Sequence, residues 1–320
     1  MLERTMQRLL LESRLEATRL PDDCTRIPYG DMPGDQILIS QVHIQKAAVL
    51  LPPLAERLNF LLCRAPRAVL SVYGGSGVGK SETASLLAWH MAELGLGCYI
   101  VSGDNYPRRI PMYNDAERLQ IYRTAGVQTL VEKETYSHEI SEILCRLFKE
   151  ERDADPTLCE CWPWLSIYQT GGRAALGRYL GSGAEQDYAD INRCIREFKA
   201  GNEIVFFKRM GRTPTQLWYE EVDLRNTDVL ILEWTHGNNP ALHGVDLPVY
   251  LSSTPGETLA HRKARARDGK IGSPFTTTVL ELEQRLLISQ VNEAALIVSQ
   301  QGELETKSGF MEKYRQEQTL

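Results

Sequence analysis

The sequence predicts an α/β fold with a mostly parallel sheet and helices on both faces. Two observations predict it: apolar strands alternate with helical stretches, and a glycine-rich loop joins the first strand to a helix. A strand at 68–73, that loop, a helix at 81–94 and a strand at 98–102 form a βαβ unit, which implies parallel strands. The later apolar runs that extend the sheet lie at 203–207, 228–233, 247–252 and 295–299.

The chain divides into two predicted regions. Residues 1–66 are expected to form an N-terminal helical extension, with one helical stretch near the start and another at 45–63. Residues 67–320 are expected to form the α/β domain. Within that domain, residues 124–200 break the alternation of strands and helices, so we expect a helical insertion beside the sheet.

The glycine-rich loop has the pattern G-x-x-x-x-G-K-[ST], which is specific when it joins a strand to a helix. Its residues are Gly74, Gly75, Ser76, Gly77, Val78, Gly79, Lys80 and Ser81. Backbone N–H groups of such a loop and the positive end of the following helix bind phosphate oxygens. We expect a P-loop NTPase fold in which Lys80 reaches the β- and γ-phosphates of ATP and Ser81 binds Mg²⁺.

Several charged residues follow later strands, where ligands bind in open parallel sheets. Asp104 comes just after the strand at 98–102 and is a candidate general base, although a helix-capping role also fits it. Glu233 ends the apolar strand at 228–233 and is a candidate magnesium-linked carboxylate, with a structural salt bridge as the alternative.

Basic residues form two further sets of candidates. The predicted set for an anionic phosphate acceptor contains Arg108, Arg109, Lys208, Arg209 and Arg212, all of which also fit a solvated surface. Arg262 and Arg265 lie three residues apart on a helix predicted to begin at Thr254, and they are candidate lid groups that stabilise charge during transfer.

The order of these motifs resembles the phosphoribulokinase/uridine kinase family over roughly residues 68–300. Asp104 and Tyr106 occupy the position of the family's acceptor motif, with a changed spacing, and Tyr106 is thereby a substrate candidate. Glu233 resembles the end of a family strand, but Trp234 replaces the glycine that follows there. The resemblance implies a kinase in which Asp104 is the base, Glu233 is linked to magnesium, and Arg262 and Arg265 belong to a lid.

Residues 103–105, and the stretch from 263 to 276, are similar to motifs of adenylylsulfate kinases, a second choice because that family lacks a counterpart to residues 124–200. Both resemblances predict an ATP-dependent kinase that phosphorylates a hydroxyl group. The basic residues near the predicted acceptor site indicate that the acceptor is a small, anionic metabolite. A non-kinase nucleotide-dependent switch is the alternative of a different class, although no guanine-binding Asn-Lys-x-Asp motif is present.

Composition limits the partners and the location. The net charge of −6 disfavours nucleic acid as a partner. No apolar run approaches the roughly 20 residues that span a bilayer. Seven cysteines without a Cys-x-x-Cys pair fit reduced thiols in a cytoplasmic protein. A homodimer is compatible with the N-terminal helices.

Overall fold

The computed structural model describes residues 27–34, 37–259, 262 and 272–317, and these form two compact units. The first unit contains the described residues of Met1–Tyr106, Asp187–Ser253 and Ser289–Leu320. The second contains those of Pro107–Gln186 and Thr254–Ile288. The second unit therefore overlaps most of residues 124–200, and the insertion expected there remains a prediction.

The main sheet lies in the first unit and has the order β2-β5-β1-β6-β7-β8. All neighbouring pairs are parallel except β7 and β8. The strands of the described chain, including two that form a separate sheet, are β1 (Ala68–Gly74), β2 (Cys98–Ser102), β3 (Ile204–Met210), β4 (Leu217–Asp223), β5 (Val229–Glu233), β6 (Leu247–Leu251), β7 (Leu296–Val298) and β8 (Leu304–Glu305). The mostly parallel α/β fold predicted from the sequence is therefore confirmed.

The helices surround the sheet or build the second unit. In chain order they are α1 (Gln41–Leu62), α2 (Lys80–Glu93), α3 (Pro111–Glu132), α4 (His138–Glu150), α5 (Trp164–Tyr179), α6 (Tyr188–Lys199), α7 (Pro274–Ser289) and α8 (Lys307–Glu317). Within the described residues, no helix is long and apolar enough to cross a membrane.

Both faces of the main sheet are covered because side chains along a strand alternate between faces. Leu70 and Val72 of β1 point into one hydrophobic cluster, which also contains residues of α1 and α2. Val69 of β1 points into the other cluster, together with residues of α6 and of β3. The strands consist of nearly continuous apolar runs, as expected where a parallel sheet is buried on both sides.

Helix α1 belongs to the core of the first unit. Ten of its residues are buried, and eight of them, all apolar, pack in the same cluster as β1 and α2. The helix therefore contributes to the hydrophobic interior of the α/β unit. The expected boundary between residues 66 and 67 remains a prediction about which segments fold independently. The stretch expected to be helical near the start lies outside the described residues.

The strand predicted at 203–207 does not enter the main sheet. It forms β3, which pairs in antiparallel register with β4 as a two-stranded sheet. The sequence did not indicate β4, because its residues are nearly all exposed and lack an apolar alternation. Lys208 and Arg209 consequently lie within this strand, past the end of the strand predicted at 203–207.

The second unit is helical, as predicted for the middle of the chain. Its hydrophobic cluster joins α3, α4 and α5 around Tyr122, Tyr168 and Leu144. The Tyr168 hydroxyl donates to buried Asp153 (2.8 Å), which also receives two hydrogen bonds from Arg123. Trp162 and Trp164 pack partly buried against the same cluster. The aromatic residues thus form the interior of a helical unit.

Candidate functional site

The glycine-rich loop connects β1 to α2 as the sequence predicted. Gly79 adopts a left-handed conformation (φ +90°) immediately before Lys80, the first residue of α2. The ammonium group of Lys80 donates to the carbonyl oxygen of Gly75 across the loop (3.1 Å). The loop thus places the N-terminus of α2 and the Lys80 amine at the carboxyl end of β1, the arrangement that binds phosphate oxygens.

Glu233 connects the glycine-rich loop to the end of β2. The hydroxyl of Ser81 donates to Oε2 of Glu233 (3.1 Å), and the hydroxyl of Ser102 donates to Oε1 (2.6 Å). Glu233 is only 4% exposed, and strand register places it beside Ser102 of β2. Two of the predicted residues, Ser81 and Glu233, are therefore in direct contact.

The contact between Ser81 and Glu233 fits a magnesium site. A serine hydroxyl and a carboxylate present hard oxygen atoms, which Mg²⁺ prefers, and Mg²⁺ usually takes only one or two carboxylates with substrate phosphates and water. Within the described residues no group of three or more His, Cys, Asp or Glu side chains could hold a metal.

Asp104 lies in a short turn, Gly103–Asn105, directly after β2. Its side chain is exposed, whereas the residues on either side of it are buried. Ser102, two residues earlier, is bonded to Glu233. The predicted base therefore lies on the edge of the sheet that carries Glu233 and the glycine-rich loop.

A buried carboxylate, Asp31, holds the turn that carries Asp104. Its Oδ1 accepts hydrogen bonds from the backbone N–H of Ser102 (2.7 Å) and from the side-chain amide of Asn105 (2.9 Å). The amide oxygen of Asn105 in turn accepts from the backbone N–H of Met210 (3.0 Å). Asp31 therefore fixes the chain on both sides of Asp104.

Arg209 is the charged partner of Asp31. Its guanidinium lies 2.7 Å from Oδ2 of Asp31 and 3.0 Å from Glu220, and it donates to the hydroxyl of Tyr99 (2.7 Å). Burial, which outweighs the attraction of Arg209, raises the pKa of Asp31 to about 6. The sequence assigned Arg209 to the acceptor, but its side chain is 4% exposed and is occupied by this internal network.

The remaining basic candidates differ in exposure. Lys208 is buried (6% exposed), with its amine 6.0 Å from the ring centre of Tyr106. Arg212 is exposed beyond the end of β3. Arg108 donates to the carbonyl of Gly183 (2.6 Å) within the second unit. Arg109 donates to the Tyr179 hydroxyl (3.2 Å) and pairs with Glu117 (3.4 Å) in that unit.

The two predicted lid arginines have different outcomes. Arg262 is 4% exposed and donates to the carbonyl of Pro255 at the start of its own segment (2.8 Å). This position gives no support to a lid contact with phosphate. Arg265 lies outside the described residues, so its role remains a prediction.

Tyr106 does not face the site. Its side chain is fully buried, and its hydroxyl lies 3.7 Å from the sulfur of Cys194. A substrate contact by Tyr106 is therefore not supported, because the phenol is part of the core.

Trp234, which departs from the resembled motif, packs over Gly103: a Cβ atom on Gly103 would lie 1.9 Å from the indole. The glycine before Asp104 thus accommodates Trp234.

Comparison with known proteins points to kinases. The chain is 37% identical over 236 residues to the bifunctional alpha-galactosidase/sucrose kinase AgaSK of Mediterraneibacter gnavus, a match that covers 74% of this chain. The chain spans only 20% of the length of that relative. The chain matches no protein-family profile. The similarity agrees with the kinase class that the order of motifs in the sequence predicts.

Two solved structures have a partial likeness to this chain. A fructose transport system kinase from Silicibacter sp. TM1040 aligns with TM-score 0.46 and 16% identity over 77% of this chain and 94% of its own. D-glycerate 3-kinase from Cryptococcus neoformans aligns with TM-score 0.48 and 11% identity over 84% and 99% of the two chains.

Proposed function

We propose that this protein is an ATP-dependent kinase that transfers the γ-phosphoryl group to a hydroxyl of a neutral carbohydrate. The observation that carries the proposal is the hydrogen-bonded connection from Ser81 through Glu233 to Ser102, two residues before Asp104. It supports a single reaction centre containing a phosphate-binding loop, a metal-binding pair and a candidate base. A protein that only bound nucleotide would have no need of the candidate base.

The glycine-rich loop would bind the phosphate donor, ATP. Its backbone N–H groups and the N-terminus of α2 would bind the phosphates, and Lys80 would neutralise charge on the β- and γ-phosphates. Ser81 and Glu233 would hold Mg²⁺, directly or through water. When bound, Mg²⁺ neutralises charge on the phosphates. Lys80 and the loop would hold the γ-phosphoryl group in line with the incoming hydroxyl.

On the acceptor side, Asp104 would accept the proton of the attacking hydroxyl. Its carboxylate is exposed, so it can reach a bound acceptor, and the buried network of Asp31 limits its movement. The hydrogen bonds of buried Asp31 hold the turn in place, and the Asp104 carboxylate stays accessible to solvent. This combination is what a positioned general base requires.

The acceptor proposed here is neutral, in place of the anionic metabolite expected from the sequence. Arg209 pairs with two carboxylates, and Arg108 and Arg109 bond to carbonyl and hydroxyl groups of their own unit. Guanidinium groups committed in this way are poorly placed to bind an anion. The relative's sucrose kinase name supports a sugar as the acceptor.

The test is acceptor-dependent release of ADP, measured with Mg²⁺-ATP and a panel of acceptors. The panel contains sucrose, other neutral mono- and disaccharides, glycerate, uridine, adenylylsulfate and sugar phosphates. We expect turnover with at least one neutral sugar and little with the anionic compounds. Turnover confined to anionic acceptors would refute the neutral acceptor, and ATP hydrolysis unaffected by every acceptor would favour a nucleotide-dependent switch.

The location and assembly of the protein remain predictions. A cytoplasmic kinase of this kind would work on sugar that has already entered the cell. The predicted homodimer is tested by light scattering of the purified chain.

A further inference from the structure

Helix α1 touches the glycine-rich loop through two side chains that lie one turn apart. His43 and Lys46 are three residues apart on this helix and therefore project from the same side. Both are buried, with exposures of 5% and 0%. Two buried polar residues at helical spacing are unexpected on a face that otherwise packs as hydrophobic core, so their contacts need an explanation.

Lys46 is bound to the loop itself. Its ammonium group donates to the carbonyl oxygen of Val78 (2.8 Å) and to the side-chain oxygen of Gln300 (3.0 Å), which follows β7. Burial of an ammonium group costs several kcal/mol unless hydrogen bonds compensate it. Lys46 thus joins three segments that are far apart in sequence: α1, the glycine-rich loop and the turn after β7.

His43 supports the next residue of the loop. The backbone N–H of Ser40 donates to Nδ1 of His43 (3.1 Å), which fixes the ring at the start of the helix. The ring lies against Gly79, where an added Cβ atom would come within 2.5 Å of Nε2. Gly79 also has φ +90°, which few other residues adopt. Helix α1 thus contacts the two loop residues that precede Lys80.

The peptide between Val78 and Gly79 explains what these contacts do. A peptide group is planar and trans, so its carbonyl and the following N–H point in opposite directions. With the Val78 carbonyl held by Lys46, the N–H of Gly79 is directed away from Lys46. A loop that binds phosphate needs its N–H groups oriented before the ligand arrives.

We propose that Lys46 is a positioning residue for the nucleotide phosphates, and that α1 is a structural support of the nucleotide site. Lys46 acts through the backbone of Val78 and Gly79 and does not touch the nucleotide. The proposal rests on the nucleotide-binding part of the proposed function and needs no knowledge of the acceptor. It assigns a role to the segment before residue 67.

The test is calorimetric titration of the full chain with ADP in the presence of Mg²⁺. Lys46→Met keeps the length of the side chain but removes its charge and donors. Loss of a charged hydrogen bond that orients the loop is expected to weaken ADP binding by about 10- to 100-fold. The matched control Lys149→Met removes an exposed lysine from α4 and leaves binding unchanged.

A second variant keeps the proposal falsifiable if Lys46→Met does not fold. Gln300→Ala removes a partner of Lys46 at a half-buried position and leaves Lys46 in place. We expect it to weaken ADP binding by about 2- to 5-fold, since Lys46 loses this hydrogen bond but keeps its bond to the carbonyl of Val78. Thermal unfolding of each variant shows whether it is folded.

Steady-state kinetics separates positioning from chemistry. Once an acceptor has been identified, we expect Lys46→Met and Gln300→Ala to raise the KM for ATP. The kcat at saturating ATP stays within about twofold of that of the unaltered chain, because bound nucleotide reorients the loop. Unchanged ADP affinity in folded Lys46→Met, or in Gln300→Ala, would overturn the proposal. Absence of ADP binding by the unaltered chain would instead refute the proposed kinase function.

Discussion

The donor and acceptor sides of the candidate site are built in different ways. On the donor side, consecutive residues 74–81 form the loop, and distant residues only hold it. On the acceptor side, the single exposed residue Asp104 depends on a network in which Asp31 and Arg209 are 178 residues apart in sequence. The difference explains why the candidate nucleotide site can be predicted from a contiguous sequence motif. The residues of the candidate acceptor site are distant in sequence and come together only in the folded chain.

Lys80→Met is expected to have a large effect on the donor side. Removal of a preorganised donor that faces developing charge lowers kcat by about 10²- to 10³-fold. The change also weakens ADP binding, because the same amine reaches the phosphates. Isothermal titration and steady-state kinetics measure the two effects, with Lys149→Met as the control. Normal turnover in Lys80→Met would show that the loop does not serve phosphoryl transfer.

A change at Asp31 is expected to affect the acceptor side alone. Asp31→Ala removes the hydrogen-bond acceptor for Ser102 and Asn105, so the turn that carries Asp104 can shift. Because a misplacement of about 1 Å can lower a rate by about 10²-fold, we expect kcat to fall by about that factor. It also leaves Arg209 without its buried partner, so stability falls by about 3 kcal/mol.

Asp31→Asn is the conservative control for that change, because its amide oxygen can still accept the hydrogen bonds from Ser102 and Asn105, which both reach Oδ1 of Asp31. We expect it to recover part of the rate. The measurement is kcat beside ADP affinity in both variants, together with denaturant unfolding. A loss of ADP affinity as large as the loss of kcat would contradict the prediction that Asp31 affects only the acceptor side.

Sequence reasoning succeeded where contacts are local. The βαβ unit, the glycine-rich loop and the position of Glu233 at a strand end could be predicted from short sequence patterns, whereas the role of Glu233 remains a proposal. Asp31 could not be predicted, since it lies in a loop rich in Gly, Pro and Asp and gains its role only from β2 and β3. Arg209 looked like an anion-binding residue because its exposure and partners are invisible in sequence.

Arg212→Ala is expected to have a small effect. The residue is exposed and was predicted from the sequence to bind an anionic acceptor. For a neutral acceptor, the KM for the acceptor changes less than about twofold, as for most surface substitutions. A tenfold or larger increase in that KM would restore the anionic acceptor, and Arg225→Ala on the same unit is a matched control.

The pH dependence of stability provides the most subtle test of the buried network. The native state binds a proton on Asp31 more tightly than the unfolded chain does, because burial raises the pKa of Asp31 from 3.8 to about 6. As the pH rises from about 3.8 to above 6, the free energy of unfolding of the unaltered chain therefore falls by about 3 kcal/mol relative to that of Asp31→Asn. Denaturant unfolding of both proteins between pH 4 and pH 7 measures the difference, and parallel curves would contradict it.

The central claim is that Asp104 activates the acceptor while residues 74–81 bind the donor. It is tested most directly by Asp104→Asn, assayed in one preparation for ADP affinity and for phosphoryl transfer to a neutral sugar. The account predicts unchanged ADP affinity and a kcat reduced by about 10²- to 10⁴-fold, with Asp223→Asn as an exposed control that behaves like the unaltered chain. Transfer by Asp104→Asn at the rate of the unaltered chain would contradict it.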